Sequence, residues 1–178
     1  EMKIVDENRQ VVPPGQIGEI AYRGTSVIKE YFKLPEITAA SFDDEGWFYS
    51  GDMGFIDEDG NLRMVGRSKD MYITNGENIY PAEVEDAIMR YPGVLLCAVV
   101  GVPHEIAGHI GRAYIVPIPG HQIDIEDLKE FLKEYLATYK IPREYVFRES
   151  LPMTLLGKIE KKLLRQEIEE ELKQKGQA

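Results

Sequence analysis

"GRSKDMYITNGENIYPAEVED", residues 66–86, decides how the 178-residue chain divides. It opens on Gly66-Arg67 and a mixed-charge run. It passes through Asn75-Gly76-Glu77-Asn78, which reads as an exposed turn, and ends in Pro81 and an amphipathic pattern. Little of it is expected to be buried before Ile79. Two readings are open: a surface loop joining two domains, or a hinge that also touches a ligand.

The texture differs on the two sides. Upstream, residues 2–6 and 17–23 read as strands around the Pro13-Pro14-Gly15 turn. Residues 35–40 allow a short helical turn, and Trp47-Phe48-Tyr49 begins an aromatic strand. Phe55-Ile56 and Leu62-Arg63-Met64-Val65 flank the acidic Asp57-Glu58-Asp59-Gly60-Asn61 as a hairpin. Trp47 and Phe48 are expected to pack on protein outside this sequence. Downstream, Pro81 suits a helix N1 position, and Val84, Ala87, Ile88 and Tyr91 give one apolar face. Residues 94–101 are continuously apolar and read as a central strand, with a second strand over 112–118. Asp124 is a good N-cap for a helix carrying Leu128, Phe131, Leu132, Tyr135 and Leu136. Tyr145-Val146-Phe147 is a short strand, and a last helix runs over about 160–173. The order β-α-β-β-α-β-α predicts a small sheet with helices packed on it.

An apolar fraction of 43% permits a packed core, and a net charge of −10 argues against nucleic acid and anionic membrane as partners. No apolar run reaches the about 20 residues of a transmembrane segment. The single cysteine, Cys97, sits in an apolar run and is expected to be a buried, inert thiol, as in a reducing, cytoplasmic setting. Glu1-Met2-Lys3-Ile4-Val5 reads as a strand already under way, so the sequence is expected to be a piece of a longer protein.

Most single candidates for chemistry are weak. His104, His109 and His121 lack metal-ligand spacing, so no metal ligands are expected here, and neither common nucleotide phosphate loop is present. Three segments stand out. In Tyr49-Ser50-Gly51-Asp52-Met53-Gly54, a carboxylate beside glycine could accept two hydrogen bonds from a diol; an Asx turn ending the strand is the alternative. In Gly66-Arg67-Ser68-Lys69-Asp70, the Arg67 fork suits phosphate or ribose, or is a solvated hairpin end. In Pro152-Met153-Thr154-Leu155-Leu156-Gly157-Lys158, a lysine after glycine could neutralise transition-state charge, or merely precede a helix. A positive charge near a helix start opposes the dipole, which favours a role for Lys158.

Together these segments resemble the adenylate-forming superfamily of acyl-CoA synthetases, peptide-synthetase adenylation domains and firefly-type luciferases. "GEIAYRGTSVIKEYFKLPEITAASF", "GWFYSGDMG", "GRSKDMYITNGENIYPAEVE" and "LPMTLLGKIEKKLLR" look like four of its motifs, in order and over nearly the whole chain. The resemblance implies an α+β fold. Residues 1–66 would be the β-rich end of a large domain, a small distorted barrel-like subdomain. Residues 67–178 would be a mobile α/β C-terminal domain with a central sheet flanked by helices. It implies that Asp52 holds the ribose hydroxyls of ATP, that Arg67 contacts the same ribose or its phosphate, and that Lys69 is the hinge. Gly76 and Glu77 would lie along the thiol tunnel of CoA, and Lys158 would bridge carboxylate and α-phosphate. The implied reaction joins a carboxylic acid to ATP as acyl-AMP and then to CoA. The Mg2+ ligands and acyl pocket would lie in the absent N-terminal part, so this piece alone is expected to be inactive. "GENIYP" is more usual in fatty- and aryl-acid CoA ligases; an adenylation domain loading a carrier protein and a non-catalytic module that kept the fold are the alternatives. Self-association of the β-rich part, as a homodimer or through strand edges, is a further expectation. His104 and His109 depart from the family's usual acidic residues.

Overall fold

The computed structural model describes residues 1–176. The chain forms two compact units, Glu1–Lys69 and a second that starts at Asp70, three residues beyond the expected 66/67 boundary.

In the first unit, β1 (Met2–Val5), β2 (Gly18–Tyr22), β3 (Phe48–Ile56) and β4 (Leu62–Arg67) pair in sequence order as an antiparallel meander, with α1 (Pro35–Ser41) between β2 and β3. The expected barrel-like shape is not present: among the described residues the sheet is open, with β1 and β4 at its edges. Four strands are fewer than the about five that even a partly open small barrel uses. Trp47 does not wait for an outside partner. It is buried with Val5, Ala21 and Tyr49, and the Lys3 ammonium and Arg23 guanidinium lie 4.3 and 4.5 Å from its ring centroid. Such cations cover an aromatic face while keeping their own charge in water. Phe48 is half-buried against Phe42, 5.2 Å between centroids.

A single 3-10 turn, Ser68–Asp70, leads into the second unit. Its elements are β5 (Tyr72–Thr74), β6 (Glu77–Ile79), α2 (Pro81–Met89), β7 (Val94–His104), β8 (Gly108–Pro117), α3 (Ile125–Leu132), β9 (Glu144–Phe147) and α4 (Lys161–Gly176). The sheet order is β6-β5-β8-β7, with β9 parallel to β8 over Arg112–Ile115 and every other pair antiparallel. Pro81 starts α2 as expected, and the Asp124 carboxylate accepts from the N–H groups of Glu126 and Asp127 at 2.8 and 3.0 Å, capping α3.

Two expectations are corrected. The central strand is β8; among the described residues β7 pairs only with β8. Its unbroken apolar run has another cause, burial on both faces. Cys97 and Val99 pack with Val84, Ala87 and Ile88 of α2, whereas Ala98, Val100 and Val102 pack with Leu164 and Ile168 of α4. On its free edge, the Val99 N–H donates to the Glu85 carboxylate at 2.6 Å, so an open ladder group is satisfied by a side chain. The segment before Ile79 is also not idle, because Tyr72 is buried. Cys97 is buried as expected, and burial followed by the nearby Glu85 carboxylate pushes its thiol up to about 12.

Tyr72 lies in a slot made by two glycines. Gly101 and Gly111 face each other across β7 and β8. A Cβ on Gly101 would fall 2.5 Å from the Tyr72 Cβ, and one on Gly111 would fall 2.4 Å from its hydroxyl. The clash at Gly101 is with the root of the tyrosine side chain, so rotation cannot relieve it. Gly101→Ala is expected to destabilise the second unit by about 1–3 kcal/mol through overpacking. Faster hydrogen exchange of the β7 and β8 amides would register it; unchanged protection would contradict the slot.

Candidate functional site

Asp52 sits inside β3, not at its end, so the Asx-turn reading fails. Glu19 pairs with Met53 and Ala21 with Tyr49, so Ser50, Gly51 and Asp52 together face Ile20. This bulge is held at three points. Ser50 Oγ donates to the Ile20 carbonyl at 2.8 Å, the Gly51 N–H donates to Glu19 Oε1 at 2.7 Å, and the Asp52 N–H donates to Ser50 Oγ at 3.1 Å. Gly51 supplies the positive φ of 74° that the kink requires. Bulges re-aim side chains, and here the re-aimed group is the Asp52 carboxylate. Burial and then that carboxylate raise the Tyr22 phenol above its ordinary value.

Asp52, in the middle of β3, is the cross-strand partner of Arg67 at the end of β4, and Arg67 Nε donates to Asp52 Oδ1 at 3.0 Å. The structure therefore brings these two sequence-singled residues together. The carboxylate is partly shielded and the guanidinium more open, with side chains 23% and 54% exposed. A carboxylate accepts from two vicinal hydroxyls, and an arginine fork presents donors to a phosphate.

Lys69 is exposed in the middle of the Ser68–Asp70 turn. Asn75 and Gly76 form the two-residue turn between β5 and β6, both at positive φ, 52° and 88°, the backbone that Asn-Gly favours. The Asn75 N–H donates to the Ala107 carbonyl at 2.9 Å, and Thr74 Oγ1 donates to the His109 carbonyl at 2.9 Å, fixing this turn to the β7–β8 connection. His104 Nδ1 accepts from the N–H groups of Ile106 and Ala107 at 3.3 Å within that connection. Glu77 is exposed beside the turn. An open depression of about 640 Å3 next to Asn75 is lined by Lys129, Lys133, Tyr139, Pro142 and Arg143. Lys129 and Lys133 pair along α3 with Glu126 and Glu130. Arg143 has no ion-pair partner among the described residues.

Lys158 is exposed, three residues before α4. Its loop is closed at the base. Met153 and Ile159 form an antiparallel bridge, the Thr154 N–H donates to the Lys158 carbonyl at 2.8 Å, and the Lys158 N–H donates to Thr154 Oγ1 at 3.2 Å. Gly157, at φ 75°, lets the chain turn, and Leu155 and Leu156 stand exposed at the tip. The lysine is thus delivered by a hydrogen-bonded loop, not by the helix itself.

Residues 83–158 match the AMP-binding enzyme C-terminal domain. The chain is 46% identical over 159 residues to a feruloyl-CoA synthase of Amycolatopsis sp, covering 89% of this chain and 32% of that protein. It is 42% identical over 176 residues to the medium-chain fatty-acid–CoA ligase of Escherichia coli, covering 98% of this chain and 31% of that protein. The crystal structure of ATP-bound MatB from Rhodopseudomonas palustris superposes with a TM-score of 0.84 at 39% identity, covering 93% of this chain and 33% of that one. The chain belongs to the AMP-binding, adenylate-forming enzymes. It spans about a third of the length of the curated relatives it matches.

Within this AMP-binding chain, sequence reading missed the residues that hold the others in place. Glu19 and Ser50 build the bulge under Asp52, and Thr74 secures the Asn75-Gly76 turn. Glu85 was also missed. Burial raises its carboxyl above the ordinary range, Lys161 at 2.7 Å opposes that, and the Asp70 carboxylate adds to it. Only the recurrence of Glu in "PAEVE" hinted at it. Among the described residues no three His, Cys, Asp or Glu side chains converge as a metal site. No described helix is long and apolar enough to cross a membrane.

Proposed function

We propose that the chain is part of an AMP-forming acid–CoA ligase acting on a fatty or aryl carboxylic acid. In the first step a carboxylate oxygen attacks the α-phosphorus of ATP, the bond to the bridging oxygen breaks, and pyrophosphate leaves. In the second a thiol sulfur attacks the acyl carbon, the bond to the phosphate oxygen breaks, and AMP leaves. Asp52 accepts from the ribose hydroxyls, and Arg67 orients that carboxylate and offers donors to the ribose or phosphate. Lys158 neutralises charge between carboxylate and α-phosphate. Lys69 is the swivel between the two steps, and the Gly76–Glu77 face receives the thiol arm.

The observation that carries this reading is the Asp52–Arg67 pair, with Asp52 re-aimed by a hydrogen-bonded bulge at Ser50–Asp52 and Arg67 reaching it from β4. The names of the relatives support the substrate class, since they act on feruloyl and medium-chain fatty acyl groups. The depression beside Asn75 supports a thiol carrier that ends in phosphates, with Arg143 as the open cation.

The test is pyrophosphate release by the full-length protein across fatty and aryl acids, followed by thioester formation with CoA or with a phosphopantetheinyl carrier protein. Acid-dependent pyrophosphate release and a CoA thioester are expected. Arg143→Glu is expected to raise KM for CoA severalfold without altering pyrophosphate release. A thioester formed only on the carrier would overturn the CoA assignment, and no acid-dependent release would overturn the ligase.

A further inference from the structure

We infer that the Asp70–Arg165 ion pair is the anchor that fixes the trailing end of the Lys69 swivel to the C-terminal unit. The inference rests on the proposed hinge and goes beyond it by assigning Asp70 and Arg165 as positioning residues.

Three consecutive positions around the boundary have different freedoms. Ser68 and Lys69 are exposed, whereas the Asp70 side chain is 18% exposed and accepts from Arg165 Nη1 at 3.0 Å. Two residues on, Tyr72 fills the Gly101–Gly111 slot. The chain is thus free at 68–69 and clamped from 70 onward. Arg165 comes from α4, whose Leu164 and Ile168 are buried against β7, so the helix that carries the clamp is fixed to the core of the unit.

The pair does not stand alone. Lys161, one turn earlier on α4, binds Glu85 at 2.7 Å, and Glu85 accepts from the Val99 N–H on the free edge of β7. The Asp70 carboxylate is close enough to act on Glu85 electrostatically. That carboxylate–carboxylate interaction is repulsive; what the two pairs share is α4, whose Lys161 and Arg165, one turn apart, each hold one carboxylate. An isolated exposed pair contributes little, but a partly shielded pair on packed elements can hold one backbone position. Hinges work when a few residues absorb the dihedral change and their neighbours do not. Without the anchor, Asp70 and Met71 would join the flexible stretch, and the small unit would reach its productive poses less often.

The experiment uses the full-length protein with Arg165→Gln, Asp70→Asn and, as the conservative variant, Arg165→Lys. Limited digestion measures cleavage after Arg67 and Lys69, and both half-reactions are assayed separately. Arg165→Gln and Asp70→Asn are expected to raise the initial rate of cleavage after Lys69 about fivefold or more at an unchanged melting temperature. Both half-reactions are expected to fall together by about three- to tenfold, because both need a defined pose. Arg165→Lys is expected to restore cleavage and turnover toward the parent values. Unchanged cleavage after Lys69 in Arg165→Gln overturns the anchor. So does a lowered melting temperature that accounts for the faster cleavage. If cleavage rises and Lys69→Pro leaves both half-reactions intact, the hinge reading fails and takes the anchor's purpose with it.

Discussion

Lys158→Ala in the full-length enzyme is expected to slow acid-dependent pyrophosphate release by about 100-fold or more, while thioester formation from supplied acyl-AMP is unchanged. The first step gathers a carboxylate and a polyphosphate, and their repulsion must be offset where the new bond forms. Lys158 is exposed on a loop pinned by Thr154 at both its N–H and its carbonyl. Its backbone is therefore preorganised, which limits the positions from which its ammonium can meet developing charge. The second step has no comparable charge problem, since a thiol meets an already activated acyl group. Single-turnover assays of each half-reaction give the comparison. Equal losses in both would show that Lys158 serves the fold or a shared binding step instead. Thr154→Ala offers a graded check: it removes the hydroxyl that accepts from the Lys158 N–H, so a smaller loss, again confined to the first step, is expected.

Much of the architecture was legible because local chemistry and fold agree. Pro81 and Asp124 stand where helices α2 and α3 begin, and the Asp57–Asn61 segment joins β3 to β4 as its acidic turn suggested. What escaped was decided by tertiary placement. β5 and β6 are three residues each, too short for alternation to show, so they passed for a bare turn. An apolar run signals burial on both faces; it does not say whether a strand has one neighbour or two, and β7 has one. Trp47 looked unpartnered because the residues that cover it, Lys3 and Arg23, are cations that a hydrophobic pattern does not count.

The candidate site was legible in part for a related reason. Asp52, Arg67, Gly76 and Lys158 stand out in the sequence as polar or glycine residues in glycine-containing segments. Their supports do not. Glu19 lies 32 positions before Gly51 and meets it through a hydrogen bond from the Gly51 N–H to the Glu19 carboxylate. Arg165 lies 95 positions after Asp70. Periodicity and turn chemistry are short-range signals, so a group held by a distant side chain can be seen without seeing what holds it.

Lys69→Pro is expected to give the converse of Lys158→Ala: pyrophosphate release close to the parent value and thioester formation from acyl-AMP slowed by about 100-fold. Proline fixes φ near about −65°, which lies within the range of a 3-10 turn, so a chain in the present Ser68–Asp70 geometry keeps its conformation at residue 69. What it loses is the ability to leave it. The ring also disfavours the helical region at Ser68, so loss of pyrophosphate release as well would show that the substitution distorts the turn instead of locking it. Asp70 cannot compensate while Arg165 holds it. A pose displaced by even about 1 Å can cost about 100-fold when a nucleophile must meet its target, so a blocked swivel is expected to slow the second step by about that much. Lys69→Ala separates the backbone from the side chain. It removes the exposed ammonium and keeps φ free, so both half-reactions are expected to survive. Normal thioester formation in Lys69→Pro would remove residue 69 as the swivel, and equal losses in Lys69→Ala and Lys69→Pro would assign the effect to the lysine's charge.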